Sequence, residues 1–112
     1  VESLCLHGIL EAVARAKALP VPSVLALLPD LELREKVVSE LRLIGELAHR
    51  LPPAIQDAHP EVAWESAERY RNFLFVDNLD MQEVWEILRS ELPRLASQVR
   101  FLVDQSEDHR PA

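Results

Sequence analysis

Apolar positions recur at three- and four-residue steps along most of this chain, and that period predicts helices. Leu6, Ile9, Leu10, Val13 and Ala16 or Lys17 mark one face of a first helix over about 3–19, with Glu11 and Arg15 on the other. Pro20-Val21-Pro22 ends it, because a residue before proline is pushed out of the helical region. Residues 23–28 are expected to form a short helical turn, broken at Pro29. Asp30 is predicted to cap a long second helix reaching about Leu51, its carboxylate accepting backbone N–H groups that otherwise lack a partner. Within it Val37, Leu41, Ile44, Ala48 and Leu51 form one seam, a spacing that suits near-antiparallel packing on another long helix. Gly45, beside Ile44, costs that helix roughly 1 kcal/mol against Ala. It marks either a crossing where two backbones approach closely or an exposed position of no consequence.

Pro52-Pro53 closes the second helix, and 54–58 are expected to add a turn before His59-Pro60. A third helix is predicted from Trp64 or Glu65 to Phe75 or Val76, followed by a turn over 77–80. Asp80 and Glu83 have capping-box spacing at the start of a fourth helix. Its stripe is Val84, Ile87, Leu88, Leu92, Leu95, Val99 and Leu102. Pro93 is expected to kink it or to start a new segment capped by Ser90. The expected fold is all-α, an up-and-down four-helix bundle with short extra helical turns. It forms a single domain over 1–103, with a polar, fraying C-terminal tail over 104–112.

Composition narrows the functional classes. A chain of 112 residues with only two Gly favours helices over hairpin-rich sheets. Net charge −7 argues against a sequence-independent grip on nucleic acid, whose affinity rests on neutralising phosphates. It leaves room for a local positive pocket, since Arg69, Arg71, Arg89 and Arg94 lie near one another in sequence. The single cysteine, Cys5, has no intrachain partner and sits between two leucines, as a small buried hydrophobe would. No apolar run approaches the ~18–20 residues that span a bilayer, and no leader pattern opens the chain. A soluble cytoplasmic protein without membrane contact is the expectation.

The residues of most chemical interest are Arg71-Asn72-Phe73-Leu74-Phe75-Val76-Asp77, with Trp64 upstream and Asp80-Met81-Gln82-Glu83-Val84-Trp85 downstream. Three further stretches accompany them: 41–52 (Leu-Arg-Leu-Ile-Gly-Glu-Leu-Ala-His-Arg-Leu-Pro), 59–64 (His-Pro-Glu-Val-Ala-Trp) and Glu91-Leu92-Pro93. In this order and spacing they resemble the HepT-like branch of the HEPN superfamily, over about 30–103 and more loosely the first helix. Its members are small helical proteins, many of them RNA-cutting toxins paired with a nucleotidyltransferase antitoxin. The resemblance implies a homodimer whose two protomers line a shared cleft, metal-independent RNA cleavage, and no cofactor. In the family an Arg-Asn is followed a few residues later by His and usually by Tyr. Here the histidine position falls on Val76, or the loop has been shortened past it.

Metal-independent cleavage is an in-line attack of a 2′-hydroxyl on phosphorus. It needs a proton acceptor titrating near neutrality, suited to histidine, and a cation on the non-bridging oxygens, suited to arginine. Arg71 and Asn72 match the family positions. Arg71 is either a phosphate ligand or paired with Asp77, Asp80 or Glu68. Asn72 is a site residue or a helix-end hydrogen-bonder. Asp77, six residues after Arg71, is a candidate substitute base, but a carboxylate with a pKa of ~4 is poorly matched to a hydroxyl at pH 7. It otherwise forms the turn or pairs with arginine. His7, His49, His59 and His109 show no metal-ligand spacing, and His49 is expected to meet the second helix's terminal carbonyls. The tyrosine that the family's antitoxin modifies with AMP has no counterpart near Asn78; Tyr70 precedes the arginine and reads as a packed residue. Three readings follow. One is a degenerate HepT-like protein that chiefly binds a nucleotidyltransferase or RNA. The second is an active ribonuclease using Asp77, or a histidine brought in by folding such as His49 or His59. The third is a scaffold module unrelated to RNA.

Overall fold

The seam on the second long helix is buried throughout, with Val37, Leu41, Ile44 and Ala48 fully enclosed and Leu51 nearly so. A computed structural model describes residues 2–74 and 76–108, except for the side chains of Glu2, Asp77 and residues 106–108. The helices are α1 (Glu2–Ala18), α2 (Val24–Leu27), α3 (Leu31–Arg50), α4 (Pro53–Ala58), α5 (Trp64–Arg69), α6 (Met81–Glu86) and α7 (Leu92–Asp108). A 3-10 turn at Tyr70–Asn72 continues α5, and a second one lies at Val76–Asn78. A π turn at Ile87–Glu91 joins α6 to α7 without a break. Among the described residues there is no strand, and the all-α bundle expected from the pattern is what forms.

α3 is the central member: α1 packs on it from one side and α5 with the Tyr70–Asn72 turn from another, while α7 packs on α1. Ile9 and Val13 of α1, Val37, Leu41 and Ile44 of α3, and Leu92 and Val99 of α7 meet in one core. Full burial of each such side chain is worth roughly 1.5–3 kcal/mol. Cys5 is buried and unpaired, as its leucine neighbours suggested. Asp30 caps α3 as predicted, its Oδ1 accepting from Leu33 N at 3.0 Å. Arg34 in the first turn donates to the carbonyls of Leu27 and Leu28, tying the end of α2 to α3.

Two expectations are corrected. Pro93 does not start a segment capped by Ser90, since a π turn at Ile87–Glu91 carries α6 into α7. Leu92 N–H bonds to Ile87 O, five residues back, and this wide turn loosens the helix ahead of the proline ring, which would otherwise crowd the Arg89 carbonyl. Ser90 lies inside the π turn and caps nothing. The third helix stops earlier than its apolar pattern suggests: Phe73 leaves the helical region (ψ 81°) and its N–H closes on Tyr70 O at 3.2 Å. Its buried ring folds back on Tyr70, with centroids 5.7 Å apart. The backbone of the polar segment after Val103 continues α7 to Asp108; residues 109–112, with His109, lie outside the described residues.

Candidate functional site

The segment entering α5 is pinned by side chains of α5 and α7, and α4 before it is tied to α3. Trp64 Nε1 donates to His59 O at 2.9 Å. Gln98 of α7 donates to Glu61 O at 2.8 Å and accepts from Ala63 N at 3.3 Å. Gln56 of α4 donates to Ala48 O of α3 at 2.9 Å. α5 then crosses α3 at Gly45. A Cβ at that glycine would stand 2.5 Å from Arg71 N and 3.0 Å from Ala67 O, so only a residue without a side chain lets the two backbones meet. Of the two readings of Gly45, the structure selects the crossing.

That contact sets the directions of the next residues. Tyr70 turns inward and its hydroxyl donates to Glu91 Oε1 at 2.5 Å. Burial, reinforced by the hydrogen bond to Glu91, pushes the Tyr70 phenol well above its ordinary pKa. Arg71 turns outward across α3, and its Nε donates to Glu46 Oε1 at 3.3 Å. About a third of the Arg71 side chain remains exposed (35%). Asn72 ends the turn and is exposed.

Arg71 therefore pairs with Glu46, and of the other carboxylates considered for it Glu68 and Asp80 are used elsewhere. Glu68 meets His49 Nδ1 at 3.4 Å, so His49 faces this carboxylate rather than the terminal carbonyls. Asp80 caps α6 through Gln82 N at 2.9 Å. Its expected capping-box partner, Glu83, lies 3.5 Å from Arg69 instead. The Asp77 backbone belongs to the second 3-10 turn, but its side chain lies outside the described residues. His59 Nδ1 is 3.2 Å from Glu61 Oε1. Of the four arginines near one another in sequence, Arg69, Arg71 and Arg89 are each held by a different carboxylate, Glu83, Glu46 and Glu86. Among the described residues no group of three or more His, Cys, Asp and Glu side chains is placed to hold a metal ion.

Val76 is half-buried and lines a cleft of about 440 Å³ on the same face of α3. Leu31, Val38 and Leu74 form its apolar walls with Val76, and Glu35, Ser39 and Arg42 supply its polar side. Chemically, the region offers a partly exposed guanidinium able to exchange its carboxylate for a phosphate. Glu46 and Arg42 were missed from the sequence. Glu46 had a usable signal: it follows Gly45, so it flanks the crossing that delivers Arg71.

The family model described as Ribonuclease HepT-like matches residues 9–102. The chain belongs to this family. A protein of Thermococcus cleftensis called "Probable ribonuclease HepT" is 28% identical over 61 residues, covering 53% of this chain and 56% of that protein. The chain thus spans little more than half the length of that curated relative. No solved structure matches it. No helix among the described residues is long and apolar enough to cross a membrane.

Proposed function

We propose that this HepT-like chain is a degenerate member: a homodimeric protein that keeps the cationic half of the family's ribonuclease site and has lost the proton acceptor. It acts mainly as a binding partner of a nucleotidyltransferase within a toxin–antitoxin module. The observation that carries this reading is the contrast between Arg71, held partly exposed by Glu46, and Val76, whose side chain takes no part in proton transfer. His49 and His59, the substitutes nearest in sequence, face Glu68 and Glu61. Joint loss of the histidine and of the modifiable tyrosine is coherent, because an inactive protein needs no silencing. A positioned general base contributes about 10²–10⁴-fold to such a reaction.

The test is incubation of the purified protein with RNA in EDTA. No cleavage above the buffer blank is expected. Cleavage abolished by Arg71→Ala would establish an active enzyme and defeat the proposal. Co-purification with the product of a neighbouring nucleotidyltransferase gene is the expected partner result. An isolated gene whose product purifies alone would favour a scaffold.

A further inference from the structure

The cleft beside Val76 has a chemistry of its own, separate from the Arg71–Glu46 pair. Its volume, about 440 Å³, lies in the range of roughly 300–1,000 Å³ that holds small organic ligands. Its polar residues, Glu35, Ser39 and Arg42, follow one stripe of α3. Arg42 is exposed and has no ion-pair partner among the described residues. Glu35 to Arg42 is two helical turns, about 10 Å of rise. A cation and a carboxylate thus stand at opposite ends of an apolar-walled slot, with a hydroxyl between them.

We propose that this cleft binds one nucleotide, with Arg42 on the phosphate, the base against Val38, Leu74 and Val76, and Glu35 accepting from an amino group on the base. The guanidinium has five donors and no acceptor, which suits a phosphate. A carboxylate at the far end accepts from an exocyclic amine, the pairing that distinguishes cytosine from uracil. Two polar positions two helical turns apart suit an elongated ligand with an anionic end and an amino-bearing end. A nucleotide joins all three features, whereas a purely apolar ligand would use only the walls. The choice of nucleotide as ligand class accords with the function proposed above, but the cleft does not depend on Arg71.

Titration of the protein with CMP or UMP, followed by methyl NMR of Leu31, Val38, Leu74 and Val76, tests the assignment. CMP is expected to shift these methyls in a saturable way and to bind more tightly than UMP. Arg42→Ala should weaken CMP by about tenfold or more, as loss of a charge-assisted hydrogen bond predicts. Ser39→Trp, an exposed change that fills the slot, should abolish the shifts while circular dichroism stays unchanged. Glu35→Gln should erase the preference for CMP over UMP. Absence of shifts at millimolar CMP, or shifts that survive Arg42→Ala, overturns the proposal. So do methyl shifts that follow protein concentration without nucleotide, since the cleft would then be a contact between copies. RNA cleavage does not enter this readout, so failure here and failure of the proposed function are read separately.

Discussion

Tyr70–Asn72 and Val76–Asn78 are both single 3-10 turns, a few residues apart. The first is locked: its backbone lies against Gly45, its tyrosine is anchored on Glu91, and its arginine leans on Glu46. The second precedes α6 and, among its described side chains, sets Val76 half-buried against the core. Arg71, the cation of the proposed reading, follows directly on backbone packing at Gly45 that leaves no room for a side chain. In the proposed reading the histidine position falls on Val76 of the second turn, which is tied to the core by fewer described contacts, and a side chain there is the easier one to exchange while the fold is kept.

The contrast breaks most directly at the crossing. Gly45→Ala should cost about 2 kcal/mol in chemical denaturation, because a Cβ 2.5 Å from the Arg71 backbone N puts overpacking at the top of its range, about 3 kcal/mol, against the ~1 kcal/mol that alanine adds in helix propensity. The same change at Gly8 meets only the flexible end of Leu47, with Cδ1 at 2.9 Å. It should fall between neutral and about 1 kcal/mol stabilising. If both substitutions are equally harmless, the crossing is not close-packed and Arg71 is not held by it.

Tyr70→Phe comes next, at about 1–2 kcal/mol, since it leaves Glu91 without its donor. The phenol's pKa is raised in the folded state, so folding favours the neutral form. The stabilisation is complete below the unfolded value of ~10 and is lost as pH rises above it, by about 1.4 kcal/mol per pH unit for one proton. Denaturation curves between pH 8 and 11, pH values chosen about that ~10, should show this slope in the wild type and lose this component in Tyr70→Phe. An unchanged slope would show that Tyr70 is not the group responsible.

Smaller effects sharpen the second turn. Asp80→Ala should cost about 1 kcal/mol through the lost cap. Faster hydrogen exchange should appear in Met81–Glu86, with the Tyr70–Asn72 amides still protected; equal loosening of both would erase the distinction. Arg71→Ala should change stability by less than about 1 kcal/mol, because a partly exposed ion pair contributes little. A larger loss would make Arg71 a structural residue and weaken its reading as a phosphate ligand.

Much of the fold was legible from pattern. The α3 seam, the Asp30 cap and the helical class all followed from period and capping chemistry, which are local properties. The misreadings also have local causes. Phe73 to Val76 is apolar enough to look like more helix, yet Phe73 gains more by folding back on Tyr70 than by continuing. Pro93 looks like a breaker until the π turn ahead of it makes room.

The partner of Arg71 was not legible, since Asp77, Asp80 and Glu68 are nearer in sequence than Glu46. The seam and caps depend on neighbours within a turn or two, so the order of residues alone determined the helices, the core-facing side of each, and the family resemblance. Which carboxylate meets which arginine, and which polar residues share a cleft, depended on how α5 crosses α3. That crossing is set by packing between residues some 25 positions apart, a relation no local period encodes. Only the tertiary structure therefore decided that Arg71 rests on Glu46 and that Val76 lines a slot with Arg42.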